Sequence, residues 1–332
     1  MIVPAKYAML LRRILFWPFT VLYGSVLLVR HGLYDIGILK SARPIVPTIA
    51  IGNLALGGTG KTPMMELVLR TLEGTAPLAT LSRGYGRKTT SIHEVRMEDP
   101  AERSGDEPLQ VKVNFPSVHV FVGADRVKAI ERIRRDVPEV KVVVLDDALQ
   151  HRRLNAGLNI LLTTAQRPYC DDALIPAGSL RDVRSRAKSA QVVVVTKCID
   201  PPSGEEREEW KKRLSLRAGQ QLFFAGIEYN EPRTLSGQPH TASIGQASSA
   251  VIFTGMVQPE PFVMHVRSLF GTIEHIAFPD HHAFTTADLR RLADVFGSFA
   301  AGPKTLITTE KDAARLRSLI PGSPLEGLPL AV

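Results

Sequence analysis

Cysteine is almost absent from this chain. Only Cys170 and Cys198 occur, far apart and in no Cys-x-x-Cys pair, which excludes a disulfide scaffold or a zinc framework built on thiols. Aromatic residues are scarce at 6%, and no stripe of them runs beside a dense basic helix. A stacking groove for nucleic acid is therefore not expected. No low-complexity tract or internal repeat interrupts the chain, so disorder does not dominate. An apolar segment lies near the N-terminus, but no Ala-x-Ala site follows it, which argues against a cleaved signal peptide. Neither sign of charge prevails strongly: 41 Lys and Arg oppose 33 Asp and Glu, a net charge of +8. That excess favours anionic partners such as phospholipid heads or a phosphorylated substrate.

What is present is mostly α/β rhythm. The 332 residues, 44% hydrophobic, suffice for one large or two smaller cores. From Pro47 onward, short runs rich in Val, Ile and Leu alternate with helical patterns. The runs are Thr48–Gly52, Leu78–Leu81, Val118–Val122, Val140–Leu145, Leu158–Thr163 and Val192–Thr196. They show no polar alternation, as strands buried on both faces of a parallel sheet require. Helical stretches such as Thr62–Leu72 and Asp125–Arg135 separate them, which predicts a doubly wound core. A second α/β series follows a loop rich in Gly, Pro, Ser and Thr at Tyr229–Ser249, and Leu328–Val332 suits a last strand. The expected organisation is an N-terminal helix over 1–36, a larger domain over 37–228 and a smaller α/β domain over 229–332.

The N-terminal apolar run, Ile14–Val29, reads ILFWPFTVLYGSVLLV and is flanked by Lys6, Arg12, Arg13, Arg30 and Lys40. Its sixteen residues fall short of the ~20 that cross a bilayer. Trp17, Phe19 and Tyr23 suit a headgroup interface. An in-plane or shallow membrane helix is the expectation; a single span and a helix packed on the protein itself are the other readings.

The sharpest local signal is Ala55-Leu56-Gly57-Gly58-Thr59-Gly60-Lys61-Thr62, placed between an apolar strand and a helical pattern. It is a P-loop with Ala in place of the usual first Gly. Its glycines let backbone N–H groups turn toward a phosphate chain, and the following helix aims its positive end at the same place. Lys61 is expected on the β and γ oxygens of ATP, and Thr62 on Mg²⁺. Such a loop needs a carboxylate at a neighbouring strand end, and KVVVLDD supplies Asp146 and Asp147, either of which suits the metal shell.

Further polar clusters sit at strand ends and in loops. Arg83, Tyr85 and Arg87 form a glycine-spaced basic loop able to grip anionic oxygens, or simply a solvated turn. Asp106 lies in a Gly-Asp-Glu-Pro segment, where a carboxylate often caps a helix. His151 and Arg152 follow the strand acids as a charged loop or a basic wall facing substrate. Paired His281 and His282 lack a third ligand at usable spacing, so they predict no metal site.

Seven segments in order carry a family resemblance: IGN…GGTGKTP, LSRGYGR, GDEP, LDDALQHRRL, LIPAGSLRD, FPDHHAF and TTEKDAARL. Together with RHGLYDIG after the apolar helix, this set resembles the tetraacyldisaccharide 4'-kinases of lipid A biosynthesis over nearly the whole chain. The resemblance implies two α/β/α domains with an N-terminal helix seated in the inner membrane, on its cytoplasmic face. It implies transfer of phosphate from ATP to a tetraacylated glucosamine disaccharide 1-phosphate, giving lipid IVA. It also implies a dyad, Asp106 with His281 in preference to His282, that activates the sugar hydroxyl. Arg181 is then expected to stabilise the transferring group or orient substrate, and Asp182 to contact substrate or metal. Three positions depart from the family pattern: Ser179 stands where Pro is usual, Asp182 where Glu is usual, and Ala148 where Gly is common. The expected partners are the lipid substrate and an anionic membrane surface, with no nucleic acid and no obligate protein partner. A membrane-associated regulatory P-loop NTPase, using the same loop as a switch, is the alternative.

Overall fold

The computed structural model describes residues 5–240, 244–280, 282–299, 302–317 and 319–332, with side chains from residue 14 onward. His281 and the side chains of Lys6, Arg12 and Arg13 therefore lie outside the described residues. The chain divides into two compact units.

The first unit holds helix α1 (Ala5–Asp35) and a sheet that, among the described residues, has eight strands. In chain order these are β1 (Thr48–Asn53), β2 (Leu78–Ser82), β3 (His93–Glu94), β4 (His119–Val122), β5 (Val142–Asp146), β6 (Leu158–Thr164), β7 (Val192–Thr196) and β8 (Gln221–Phe224). Their spatial order is β3-β4-β2-β5-β1-β6-β7-β8. Every pairing is parallel except the short β3–β4 edge. Val143, Leu145, Val193 and Val195 are fully buried, as uninterrupted aliphatic runs demand. Helices α2 (Lys61–Leu72), α5 (Arg126–Asp136) and α6 (Gly204–Arg213) link the strands. Asp125 caps α5, and Ser203 with Glu206 forms a capping box on α6. Because β1 lies between β5 and β6, the turns after β1 and β5 meet at the carboxyl edge of the sheet, where parallel sheets bind ligands.

The second unit carries an all-parallel sheet in the order β10-β9-β11-β12. Its strands are β9 (Ser249–Thr254), β10 (Thr272–Ala277), β11 (Lys304–Ile307) and β12 (Leu330–Ala331), with helices α7 (Glu260–Leu269), α8 (Thr286–Ser298) and α9 (Glu310–Leu316). The unit also draws in residues 85–89 and 96–114, which the linear reading of the sequence placed in the larger domain. That segment includes α3 (Ala101–Ser104) and α4 (Asp106–Asn114), and α4 packs on α9.

α1 runs for 31 residues, nearly twice the apolar run that marks it. The part from Ile14 to Asp35 is long and apolar enough to cross a membrane, with a mean hydropathy of 1.4. Gly24, Leu27 and His31 are buried against the first unit, with Thr20, Tyr23 and Arg30 half-buried beside them, one stripe at helical spacing. The rest of the surface is bare hydrocarbon: Leu15, Trp17, Phe19, Leu22, Val26 and Val29 are all exposed. Pro18 lies inside the helix without ending it. Two residues on, the Thr20 hydroxyl donates back to the Phe16 carbonyl at 3.1 Å, one turn earlier on the same helix. Gly24 permits close approach, since a Cβ there would sit 3.0 Å from Leu174 Cδ1.

Candidate active site

The phosphate loop grows from the centre of the sheet. Gly57 and Gly60 hold positive φ angles of 106° and 82°, which side-chain-bearing residues rarely adopt. α2 starts at Lys61 with no side chain capping it. Its first N–H groups are therefore available to an anion, reinforced by the helix dipole. Two hydrogen bonds fix the loop from beneath. Asn53 Nδ2 donates to Thr59 Oγ1 at 2.8 Å, and Thr196 Oγ1 donates to the Thr59 carbonyl at 2.9 Å. Thr196 ends β7, so the Val195-Thr196-Lys197 strand end serves as a buried support for the loop.

The acids stand beside it. Ile51 of β1 aligns with Asp146 of β5. Asp147 follows in a left-handed backbone conformation, φ 49°, which turns the chain sharply as it leaves the strand. Its carboxylate is gripped by both terminal nitrogens of Arg181, one of them at 2.7 Å from Oδ2, and lies 4.0 Å from Lys61 Nζ. Burial alone would raise the Asp147 pKa; the Arg181 hydrogen bonds and the charges of Lys61 and Arg181 outweigh it and hold the pKa below the usual carboxylate value. Arg181 also donates to Asn53 Oδ1 at 2.6 Å, tying the ends of β1 and β5 together.

Arg181 belongs to an irregular segment laid over the phosphate loop. Leu56 N donates to the Ser179 carbonyl at 2.7 Å, and Arg181 N donates to the Leu54 carbonyl at 2.8 Å. The Ser179 hydroxyl donates to Asp172, and the Arg167 guanidinium donates to the same carboxylate. Gly178 admits no side chain, because a Cβ would fall 2.1 Å from the Ala173 carbonyl oxygen.

The sequence-predicted residues separate into groups. Residues 55–62, Asp146, Asp147 and Arg181 come together in the first unit. Arg83 is exposed at the end of β2; Tyr85 and Arg87 continue into the loop assigned to the second unit. His151 lies near Arg126, Arg153 and Arg30, and burial, then Arg126, depresses its pKa. Arg152 bonds Asp35 Oδ1 at 2.8 Å and lies over the Tyr34 ring, both on α1. Asp182, expected on substrate or metal, is instead turned inward, 1% exposed, and accepts a hydrogen bond from His31 of α1 at 2.6 Å. Asp has one methylene less than Glu, and here it reaches the helix.

Asp106 opens α4 in the second unit, with Pro108 in the first turn, where proline is tolerated. Its Oδ2 accepts from Arg315 Nε at 2.9 Å and Nη2 at 2.5 Å. Arg315 also bonds Asp312, whose other oxygen accepts from Gly255 N. No spacing rule reveals that pair; the signal available was Arg315 itself, inside the TTEKDAARL segment. His282 is committed elsewhere: its ring stacks on Phe278 and its Nε2 lies 3.0 Å from Asp288, the acid of the α8 capping box. Burial raises the pKa of both cysteine thiols, which makes them poor nucleophiles.

Comparison with known proteins matches this arrangement. A family model described as tetraacyldisaccharide-1-P 4'-kinase covers residues 12–330. A tetraacyldisaccharide 4'-kinase of Flavobacterium johnsoniae is 40% identical over 97% of this chain and 92% of its own. One of Bacteroides fragilis is 39% identical over 90% and 82%. Among solved structures, LpxK from Aquifex aeolicus, an "apo" form in complex with ATP, superposes with a TM-score of 0.74 at 26% identity, covering 96% of this chain and 92% of that one. A phosphate loop braced by Asn53, Thr196 and Arg181, in a chain so matched from end to end, places this protein in the tetraacyldisaccharide-1-P 4'-kinase family.

Proposed function

We propose that this chain transfers the γ-phosphate of ATP to the 4'-hydroxyl of a tetraacylated glucosamine disaccharide 1-phosphate, yielding lipid IVA and ADP at the cytoplasmic face of the inner membrane. The observation that carries the reading is the uncapped start of α2, with Lys61 beside the Asp147–Arg181 pair, in a chain of this family.

Phosphoryl transfer asks mainly for positioning and charge neutralisation. The N–H groups of residues 57–62 cradle the polyphosphate, and Lys61 takes up charge on the β and γ oxygens. Arg181, held in plane by Asn53 and Asp147, presents its guanidinium toward the transferring group. The oxygen-only donor set of Thr62, Asp146 and Asp147 fits Mg²⁺, which favours one or two carboxylates plus phosphate oxygens. Held there, Mg²⁺ would supply positive charge that neutralises the polyphosphate. The depressed pKa of Asp147 keeps that carboxylate ionised, the form a metal ligand needs.

The sugar hydroxyl must lose its proton as it attacks. Asp106 is the base, oriented by Arg315, and an imidazole partner improves a carboxylate that alone is a feeble base near neutrality. His282 is tied to the α8 cap, which supports His281 as that partner.

A lipid with four acyl chains must be met at a membrane surface, and the bare hydrocarbon of α1 suits that encounter. Changing Leu15, Leu22, Val26 and Val29 together to Ser is expected to move the protein from the membrane pellet to the supernatant after a salt wash. Unchanged sedimentation removes this role from α1.

The defining assay supplies γ-labelled ATP and purified lipid acceptor. Label is expected on the lipid, with little ATP hydrolysis when the acceptor is omitted. Rapid hydrolysis without acceptor and no labelled lipid would instead identify a regulatory NTPase.

A further inference from the structure

We propose that His31 and Tyr23 of α1 are positioning residues for Arg181, so that the membrane-facing helix is a working part of the active-site scaffold. The inference rests on the role proposed above for Arg181 in phosphoryl transfer.

The segment that carries Arg181 has little structure of its own. Between Leu174 and Val183 it forms no named helix or strand, only isolated bridges at Leu174–Leu180 and Ala55–Leu180. Its shape is therefore set by what lies on either side. On one side are the phosphate loop and the end of β1, bonded to Ser179 and Arg181 as described. On the other side is α1. Tyr23 Oη donates to the Arg181 carbonyl at 2.8 Å. His31 Nε2 donates to Asp182 Oδ1 at 2.6 Å. Ala177 N donates to Thr20 Oγ1 at 3.2 Å, and Leu174 packs over Gly24. Thr20, Tyr23, Gly24 and His31 share one face of the helix. Two consecutive residues of the segment are thus anchored to α1 by backbone and side chain, while the Arg181 guanidinium reaches the opposite way to Asn53 and Asp147.

The His31–Asp182 contact is costly to break. Asp182 is 1% exposed and His31 5% exposed. Asp182 Oδ1 accepts from His31 and from Val183 N, while Asp182 Oδ2 and His31 Nδ1 are buried with no hydrogen-bond partner among the described residues. Without His31 a buried carboxylate loses the one side-chain hydrogen bond it has among the described residues, and it must then reach for water or for the charge of Arg186 nearby. Either outcome shifts the backbone of residue 182, and with it the neighbouring Arg181. A displacement of about 1 Å in a group that must be aligned with a transferring phosphate costs up to ~100-fold in rate.

The test uses the full chain with lipid acceptor in mixed micelles. His31→Ala is expected to lower kcat by about 10- to 100-fold, with KM for ATP within about twofold, since the α2 N-terminus and Lys61 are untouched. Membrane sedimentation stays at the parental level because the exposed face of α1 is unaltered. His31→Gln, whose amide nitrogen falls near the position of Nε2, is expected to restore most of kcat. Asp182→Ala in the His31→Ala background is expected to cost little more than His31→Ala alone. Tyr23→Phe, which removes one hydroxyl and preserves packing, provides an independent arm and is expected to lower kcat by roughly 3- to 10-fold.

The proposal falls if His31→Ala and Tyr23→Phe both keep kcat within twofold of the parent. It also falls if His31→Gln is as impaired as His31→Ala, or if Asp182→Ala loses far more activity than His31→Ala. Should His31→Ala fail to fold, the Tyr23→Phe arm decides. Arg181→Ala separates the two levels: full turnover in that variant removes the underlying role of Arg181, whereas a dead Arg181→Ala beside an active His31→Ala removes only the coupling to α1.

Discussion

Lys61→Ala is expected to reduce phosphate transfer to the lipid by about 10³-fold or more, the scale on which single charge-stabilising groups act in phosphoryl and acyl transfer. The reason lies in the local electrostatics. α2 offers N–H dipoles to the polyphosphate, but Lys61 provides the full positive charge on that helix start. Its Nζ is also one of three cations, with Arg181 and Arg126, that hold the Asp147 pKa low. Removal weakens the grip on the nucleotide and loosens Asp147 at once. Lys61 directs its Nζ toward Asp147 and not into the apolar core, so circular dichroism should match the parent and the thermal midpoint should stay close to it. Turnover within tenfold of the parent would remove the phosphate loop from the mechanism.

Replacement of Asp106 ranks next, at about 10²- to 10⁴-fold in kcat, the usual contribution of a general base. Asp106→Asn is the cleaner variant. Arg315 is buried, and an amide at 106 still accepts one hydrogen bond from it, while Asp312 retains the charge pairing. Its melting temperature should therefore stay near that of the parent, whereas Asp106→Ala leaves the guanidinium short of an acceptor and costs stability as well. His281→Ala is expected to match Asp106→Asn in kcat. His282→Ala should do the opposite, loosening the α8 cap while keeping kcat within about threefold, because His282 bonds Asp288 rather than a reacting group. If His282→Ala carries the catalytic loss and His281→Ala does not, the dyad assignment is reversed.

The parts of the site legible in the sequence are those encoded locally. A phosphate loop is eight consecutive residues whose glycines have a stereochemical purpose, and a strand ending in two acids is seven. The aliphatic runs announced the parallel strands for the same reason, since burial on both faces leaves a signature in every residue. What escaped is long-range pairing. Arg181 meets Asp147 across 34 positions, Asp182 meets His31 across 151, and Arg315 meets Asp106 across 209. No periodicity links such residues, because the sheet order and not the spacing brings them together. The helix expected over 1–36 is present as α1, but the part of it apolar enough to cross a membrane extends past the sixteen-residue run. An apolar run measures bare surface, whereas helix length also includes polar turns such as Arg30–Asp35, whose side chains find partners on the protein. α4 was hidden by Pro108, which breaks a helix anywhere except in its opening turn.

The early segment that joins the second unit has a consequence for biosynthesis. α4 leaves the ribosome some 209 residues ahead of Arg315, on the helix against which it packs. At about 5–20 residues per second, that interval lasts roughly 10–40 s. During this time α4 has no α9 to pack against, and Asp106, Glu107, Gln110 and Asn114 lack their partners Arg315, Lys311 and Glu310. A nascent chain halted shortly after residue 227 should therefore hold a nearly complete first sheet together with an orphaned α4, a state that invites chaperone binding until the last hundred residues arrive.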